Sequence, residues 1–293
     1  MFMRSKKVDE MNDKILEKVL ITGAGGMVGS YANFGIKADM RMLDVTDLDE
    51  TLRIAKKIQP TAIIHLAAET DLDRCERDPE HAYAVNAVGT YNIALAAKSV
   101  GAKIVYVSTS SIFDGKKKTP YTETDVPNPQ SFYSRSKLLG EIVVKETAPD
   151  FIIARACWMF GGGPAKDQKF VAKIIRQLGQ PEIKVVNDRF GSPTFGKDLM
   201  GAIKQLIIQD KSGIFHLSNS GACSRFEVAQ QIAKVLGSKA KITPVSSDTF
   251  EENIGGKNES MKSKINLMRP WQDALEDYLK TEWKGFLSSR PSK

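Results

Sequence analysis

Lys18-Val-Leu-Ile-Thr22-Gly23-Ala-Gly-Gly-Met-Val-Gly29 is the stretch that decides how this chain is to be read. A short apolar run rich in β-branched side chains ends abruptly in a glycine-rich turn. A strand apolar at nearly every position is buried on both faces, which calls for a parallel sheet covered by helices. The turn adds chemistry. Gly23 allows the tight bend, Gly26 lets backbone approach a pyrophosphate, and Gly29 lets a following helix pack close to the strand. The amino end of that helix then offers N–H groups and partial positive charge to an anion.

Working outward, the same pattern recurs. Ala62-Ile-Ile-His-Leu66, Lys103-Ile-Val-Tyr-Val107 and Phe151-Ile-Ile-Ala-Arg155 are further apolar runs. Between them, His81–Val100 reads as a helix stopped by Gly101, and Lys137–Lys145 as a second crossover helix. Strand and helix alternate, so the predicted class is α/β, a doubly wound parallel sheet of the Rossmann type. One interval is short. Between Gly29 and the turn Leu43-Asp-Val-Thr-Asp47 there is room for a short helix and an abbreviated second strand, and so for a weakened adenosine-ribose pocket. Asp44 either accepts from an adenine amine or caps a helix over 47–58. No acidic residue stands clearly at a second-strand end to hold a ribose 2′-hydroxyl, and Arg41 could meet a 2′-phosphate. NADPH and NADH both stay open as cofactors.

The predicted organisation is a flexible leader over 1–17, then an NAD(P)-binding domain over 18–157 to which 187–212 return. A smaller α/β substrate lobe takes 158–186 and 213–286. Within the later part, 165–180, 197–209 and 226–236 read as helices, 213–217 as a strand and 185–194 as turns, and this half does not close on a simple sheet of its own.

Composition excludes several classes. With 42% hydrophobic and 26% charged residues over 293 positions, the chain is too apolar for disorder. No apolar run approaches the roughly 18 residues of a membrane span, and the charged start lacks the apolar centre of a secretory signal. Cys75, Cys157 and Cys223 are scattered and never paired as CxxC, which argues against a disulfide framework or a metal site and for a reducing cytoplasm. The net charge of +7 includes Lys116-Lys117-Lys118, either a solvated basic face or an attraction for a small anionic substrate. No basic stripe is interleaved with aromatics, so nucleic acid is not an expected partner, and neither is a membrane.

Tyr133-Ser-Arg-Ser-Lys137 places a phenol and an ammonium four residues apart, on one face of a helix. A cation beside a phenol favours phenolate and makes it a usable acid or base near neutrality. Such a pair arises by chance too often to decide anything alone. Its company matters: the run 103–107 leads into Ser108-Thr109-Ser110-Ser111, hydroxyls at the carboxyl edge of a parallel sheet, where ligands bind. Asn86, inside the alanine-rich helix, is either a satisfied core amide or part of a water relay to the lysine.

Taken together, these pieces resemble the extended short-chain dehydrogenase/reductases, and among them the dTDP-4-dehydrorhamnose reductase group. The matching stretches are TGAGGMVG (22–29), LDVTD (43–47), HLAAETDLDRCE (65–76), VNAVGT (85–90), VSTSSIFDG (107–115), YSRSKLLGE (133–141), RACWMFG (155–161), NDRFGSPT (187–194) and GIFHLSNSGACS (213–224). The resemblance implies reduction of the 4-keto group of a nucleotide-linked deoxysugar. It casts Tyr133 as proton donor, Lys137 as the group that lowers the tyrosine pKa and holds the nicotinamide ribose, and Thr109 as a donor to the substrate oxygen. It extends the cofactor contacts to Gly23, Gly26, Met27, Val28, Asp44, Val45, Leu66, Ala67, Ala68 and Asn86. On the substrate side it implies Glu69, Ser110, Ser111, Trp158 and Arg189, with Trp158 against the sugar or a plain interface residue. A homodimer is an open expectation.

The chain departs from that group on the substrate side. Ser110-Ser111 stands where the group carries Asp-Tyr, Lys169-Phe170 where it carries Asn-Phe, and Ser260-Met-Lys-Ser-Lys264 where an Arg-Pro-x-x-Ser stretch faces the diphosphate. The related sugar dehydratases carry Asp-Glu after the threonine, and two serines cannot do that acid–base work. The alternatives are an NAD-dependent nucleotide-sugar epimerase, which uses the same Tyr–Lys pair, and a non-catalytic NAD(P)-binding regulatory subunit of the same fold.

Overall fold

The computed structural model describes residues 12–249 and 256–284. Four strands fall close to where the apolar runs place them, β1 (Val19–Thr22), β3 (Ala62–His65), β4 (Lys103–Thr109) and β5 (Phe151–Ala156), and β2 (Ile36–Ala38) forms in the short interval after the glycine turn. With the strand Gly213–His216 they form a six-stranded sheet in the order Gly213–His216, β5, β4, β3, β1, β2. β1 runs parallel to both β2 and β3, and β3 runs parallel to β4. Every residue of β1, β3 and β4 is buried, as strands covered on both faces must be. Leu20, Ile63, Ile104 and Ile153 bring four strands into one core with Ile54, Ile93 and Val144 from the helices Leu48–Ile58, Gly89–Ser99 and Phe132–Thr147. The fold is α/β and doubly wound.

The first crossover departs from expectation. After the glycine turn only a single 3-10 turn forms, Gly29–Tyr31, and β2 begins at Ile36. Gly35, with φ 71°, turns the chain into that strand at a place where a Cβ would stand 2.5 Å from the Val19 carbonyl oxygen. So few residues cannot hold the α-helix that usually carries a parallel crossover, and the turn offers an anion its own N–H groups without a full helix dipole behind them. β2 is three residues long, the abbreviated strand predicted.

The helix Leu48–Ile58 is capped by Asp47, whose side chain accepts from the Glu50 amide; acids fill its first turn, and Lys56 and Lys57 its last. Asp44 is therefore not the cap. Its carboxylate folds back on the Thr46 amide and hydroxyl at 2.9 and 2.8 Å. The predicted helix over 81–100 is interrupted: Pro79–Tyr83 passes through a π-helical segment, Ala84–Val88, before Gly89–Ser99 resumes. Residues 12–17, expected to fray, are helical with Leu16 buried, while 1–11 of the predicted leader lie outside the described residues.

The chain divides into two compact units. Of the described residues, the first holds those up to 109, 131–155 and 200–215, and the second 110–130, 156–199 and those from 216 onward. Residues 110–130 and 187–199 thus join the second unit. The reason is local: Tyr121 bridges to Met261, and Asn258 donates from Nδ2 to the carbonyls of Lys117 and Thr119. Among its described residues the second unit contains three two-stranded ladders rather than one sheet. Its core includes Phe160, Phe195 and Tyr278 with ring centroids 5.3 to 5.4 Å apart.

Candidate active site

The helix Phe132–Thr147 starts where it does because Ser131 caps it: its hydroxyl accepts from the Ser134 amide, and Ser134 returns the bond. That start puts Tyr133 in the first turn and Lys137 in the next, on one face. Tyr133 is largely buried beside Cys75 and Ala82. Lys137 reaches β4, where Nζ donates to the Val107 carbonyl at 2.8 Å and lies 4.2 Å from the centre of the Tyr106 ring. Thr109, the last residue of β4, follows two positions later on the same strand. Burial pulls the Lys137 ammonium down to about 7, with Glu141 pulling the other way.

The glycine turn lies against β3. A Cβ on Gly23, which has φ +64°, would stand 2.6 Å from the Ala67 amide nitrogen, and one on Gly29 would stand 2.6 Å from Ala24 Cα, so both positions need glycine. Gly26 closes the turn by donating its amide to the Gly23 carbonyl at 3.0 Å. At Gly25, by contrast, a Cβ would meet nothing nearer than Asp39 Cβ at 3.9 Å. This cradle of bare backbone, flanked by Leu66, Ala67 and Ala68, fits the close approach of a pyrophosphate. Met27 accepts from the Ser30 hydroxyl through its carbonyl, and Val28 and Val45 are buried. The carbonyls of Val45 and Thr46 accept from Asn92, which anchors the Asp44 turn.

An acidic residue does stand at the end of the second strand. Asp39 directly follows β2, beside Gly25, and Arg41 grips its carboxylate through Nη2 at 2.7 Å and Nε at 3.2 Å. That pairing holds the Asp39 carboxyl below the usual carboxylate range. Asp39 is invisible to sequence patterning because a three-residue strand leaves almost no periodic signal.

Asn86 sits in the π segment as a satisfied amide. Nδ2 donates to the Glu69 carbonyl and the Ser136 hydroxyl, each at 3.0 Å, and Oδ1 accepts from the Glu69 amide at 2.8 Å. It ties the loop after β3 to the helix that carries Tyr133 and Lys137. The Glu69 carboxylate is held by Arg74 at 3.1 Å and His81 at 3.3 Å.

In the second unit, Ser110 and Ser111 both donate to one carboxylate oxygen of Glu259, at 2.9 and 3.3 Å. A carboxylate therefore does stand at these serines, supplied from the far end of the chain, where no local pattern could reveal it. Trp158 has φ 39° and lies flat against Gly191, where a Cβ would come 2.3 Å from its ring. The Arg225 guanidinium stacks 3.7 Å from the centre of that ring and 4.6 Å from Phe170. Burial lowers the Arg225 pKa to about 10. Arg189 donates to the Gly256 carbonyl at 2.9 Å. Lys169 precedes the helix Phe170–Gln177, and Ser260 is buried with its hydroxyl on Asn258. Among the described residues no cluster of His, Cys, Asp and Glu could hold a metal, and no helix is long and apolar enough to cross a membrane.

Comparison with known proteins places this geometry. Residues 17–283 match the RmlD substrate binding domain. The chain is 33% identical over 278 residues to the spore coat polysaccharide biosynthesis protein SpsK of Bacillus subtilis, covering 90% of this chain and 97% of that protein. It is 35% identical over 282 residues to dTDP-4-dehydrorhamnose reductase of Mycobacterium tuberculosis, covering 88% and 91%. The crystal structure of dTDP-4-dehydrorhamnose reductase from Bacillus anthracis in complex with NADP superposes with a TM-score of 0.85 at 34% identity, covering 90% of this chain and 99% of that one. A glycine turn after β1 and a Tyr–Lys helix tied to the end of β4 are thus set in a chain that belongs to the RmlD substrate binding domain family, alongside the dTDP-4-dehydrorhamnose reductases.

Proposed function

We propose that the chain reduces the 4-keto group of a nucleotide-linked 6-deoxysugar with NADPH or NADH, as an extended short-chain dehydrogenase/reductase. The observation that carries this reading is the bond from Lys137 Nζ to the Val107 carbonyl. It fixes the ammonium at the strand end that terminates in Thr109, one helical turn beyond Tyr133. When bound, the nicotinamide supplies the hydride to the keto carbon. Tyr133 gives its phenolic proton to the carbonyl oxygen as charge gathers there, and Thr109 donates a hydrogen bond to the same oxygen. Lys137 favours the phenolate that results and holds the nicotinamide ribose. The first unit takes the role of NAD(P)-binding domain and the second, with Ser110, Ser111, Trp158 and Arg189, that of substrate lobe; Glu69, assigned to the substrate as well, belongs to the first unit.

The Asp39–Arg41 pair supports use of either cofactor. A carboxylate accepts from a ribose 2′-hydroxyl, and a guanidinium meets a 2′-phosphate. Three buried, unpaired thiols support a cytoplasmic setting.

The test is NADPH oxidation with dTDP-4-keto-6-deoxy-L-mannose, in the parent chain and in Tyr133→Phe. Loss of the proton donor lowers kcat by about 10²–10⁴-fold with little change in KM. Turnover undiminished in Tyr133→Phe overturns the assignment of the proton donor. No turnover by the parent with any of several keto-sugar nucleotides overturns the enzymatic reading in favour of a binding protein.

A further inference from the structure

Tyr106 and Lys137 meet in a way that the proposed reaction does not require on its face. Tyr106 is fully buried in the middle of β4, and the Lys137 ammonium stands 4.2 Å from the centre of its ring. The phenol is fixed from the same residue, because its hydroxyl donates to the Lys137 carbonyl at 3.2 Å. Helix Phe132–Thr147 makes room for it with Gly140, where a Cβ would come 2.3 Å from the Tyr106 oxygen and 2.7 Å from Cζ. The His65 ring stacks on Tyr106 at 5.9 Å, and is itself held by the Thr22 hydroxyl at 2.8 Å and the Thr90 hydroxyl at 3.1 Å.

We propose that Tyr106 is a positioning residue for Lys137, its ring being the surface on which the buried ammonium is held charged and against the Val107 carbonyl. An ammonium stripped of water loses most of its solvation, and a single carbonyl replaces only part of it. The negative face of an aromatic ring supplies attraction from a second direction, strongest where both groups are dry. The contacts around Lys137 leave this role to the ring. Glu141, on the same helix, favours the ammonium by its charge, while its carboxylate bonds to Arg155. Burial holds His65 neutral, so no second cation enters. The Tyr106 phenol stays protonated, because burial pushes its pKa well above the ordinary value. Farther round the helix, Tyr133 and Cys75 pack together, while Glu76 is engaged by the Phe132 amide and His81 by Glu69.

This proposal rests on the reading of Lys137 as partner of Tyr133, and its test separates the two. Lysines labelled with carbon-13 at Cε report the titration of Lys137, with the resonance assigned by its loss in Lys137→Arg. In Tyr106→Leu the ring face is gone, and the midpoint falls by about one pH unit relative to the parent. Tyr106→Phe keeps the ring, loses only the hydroxyl, and restores the parent midpoint. The pH profile of kcat moves with the lysine in Tyr106→Leu. An unmoved midpoint in Tyr106→Leu, or an equal fall in Tyr106→Phe, overturns the positioning role. A midpoint that falls while the kcat profile stays in place upholds the positioning role and counts against the catalytic reading of Lys137. Thermal melts check that each variant is folded; if Tyr106→Leu is not, Tyr106→Met carries the same comparison with a side chain that fills irregular space better.

Discussion

Glu141 is completely buried, and it survives there because Arg155 meets it with two parallel bonds, Nε to Oε1 at 2.9 Å and Nη2 to Oε2 at 2.7 Å. The pair does more than satisfy itself. Glu141 lies one helical turn beyond Lys137, and its charge is the counterweight to the burial that lowers the lysine. Arg155 keeps that carboxylate in place and partly neutralised. In Arg155→Met the carboxylate stays buried without its partner, which costs about 3–5 kcal/mol of stability. Arg155→Met/Glu141→Leu removes both charges and regains most of the loss. Urea unfolding of the two variants checks this. If the double variant is no more stable than the single one, the bulk of the cost lies in packing around Arg155 rather than in a stranded charge.

At the scale of elements, the glycine turn separates positions that hold the fold from one where a side chain would meet open space. Gly29→Ala drives a Cβ to 2.6 Å from the Ala24 backbone, and overpacking of that kind costs about 1–3 kcal/mol or more. Gly25→Ala meets only Asp39 Cβ at 3.9 Å, so stability changes by less than about 0.5 kcal/mol. Its new methyl nevertheless stands on the open side of the cradle, and NADPH binding weakens about tenfold or more. Fluorescence titration with NADPH decides the matter; parent-like affinity in Gly25→Ala means that the pyrophosphate does not pass over this residue. The same turn shows where sequence stops being legible. Apolar runs located β1, β3, β4 and β5, because strands buried on both faces carry an unbroken signal. The four-residue spacing of Tyr133 and Lys137 placed both on one helix face, as the structure shows. The first crossover was legible only in its length: a glycine turn says that backbone must come close, but not whether a helix or one 3-10 turn follows. The π segment at Ala84–Val88 was hidden because one extra residue per turn hardly disturbs an alanine-rich pattern. Glu259 was hidden for a different reason, since its bond to Ser110 joins residues 149 apart.

For the whole molecule, burial of titratable groups sets how stability depends on pH, and the sign follows from which state binds more protons. His65 is lowered from 6.5 to about 3 by burial, with the Lys137 charge adding to the effect. Between those values the unfolded chain carries a proton on this residue that the folded chain does not, so stability falls as pH drops through that window. Lys137 acts in the same direction from about 7 to 10.5, favouring the folded state as pH rises. The thiols oppose it. Burial raises Cys75 to about 11, Cys157 to about 12 and Cys223 higher still, so above pH 9.0 the unfolded chain gives up protons that the folded chain keeps. Three thiols against one ammonium turn the curve downward there. Urea midpoints measured across pH are expected to rise from acid, crest between neutrality and about pH 9, and decline beyond it. His65→Gln, which keeps a hydrogen-bonding group between Thr22 and Thr90, flattens the acid limb by one proton. If the acid limb keeps its full slope in His65→Gln, the proton taken up on unfolding belongs to other groups, and a neutral His65 beneath the Tyr106 ring is excluded as its source.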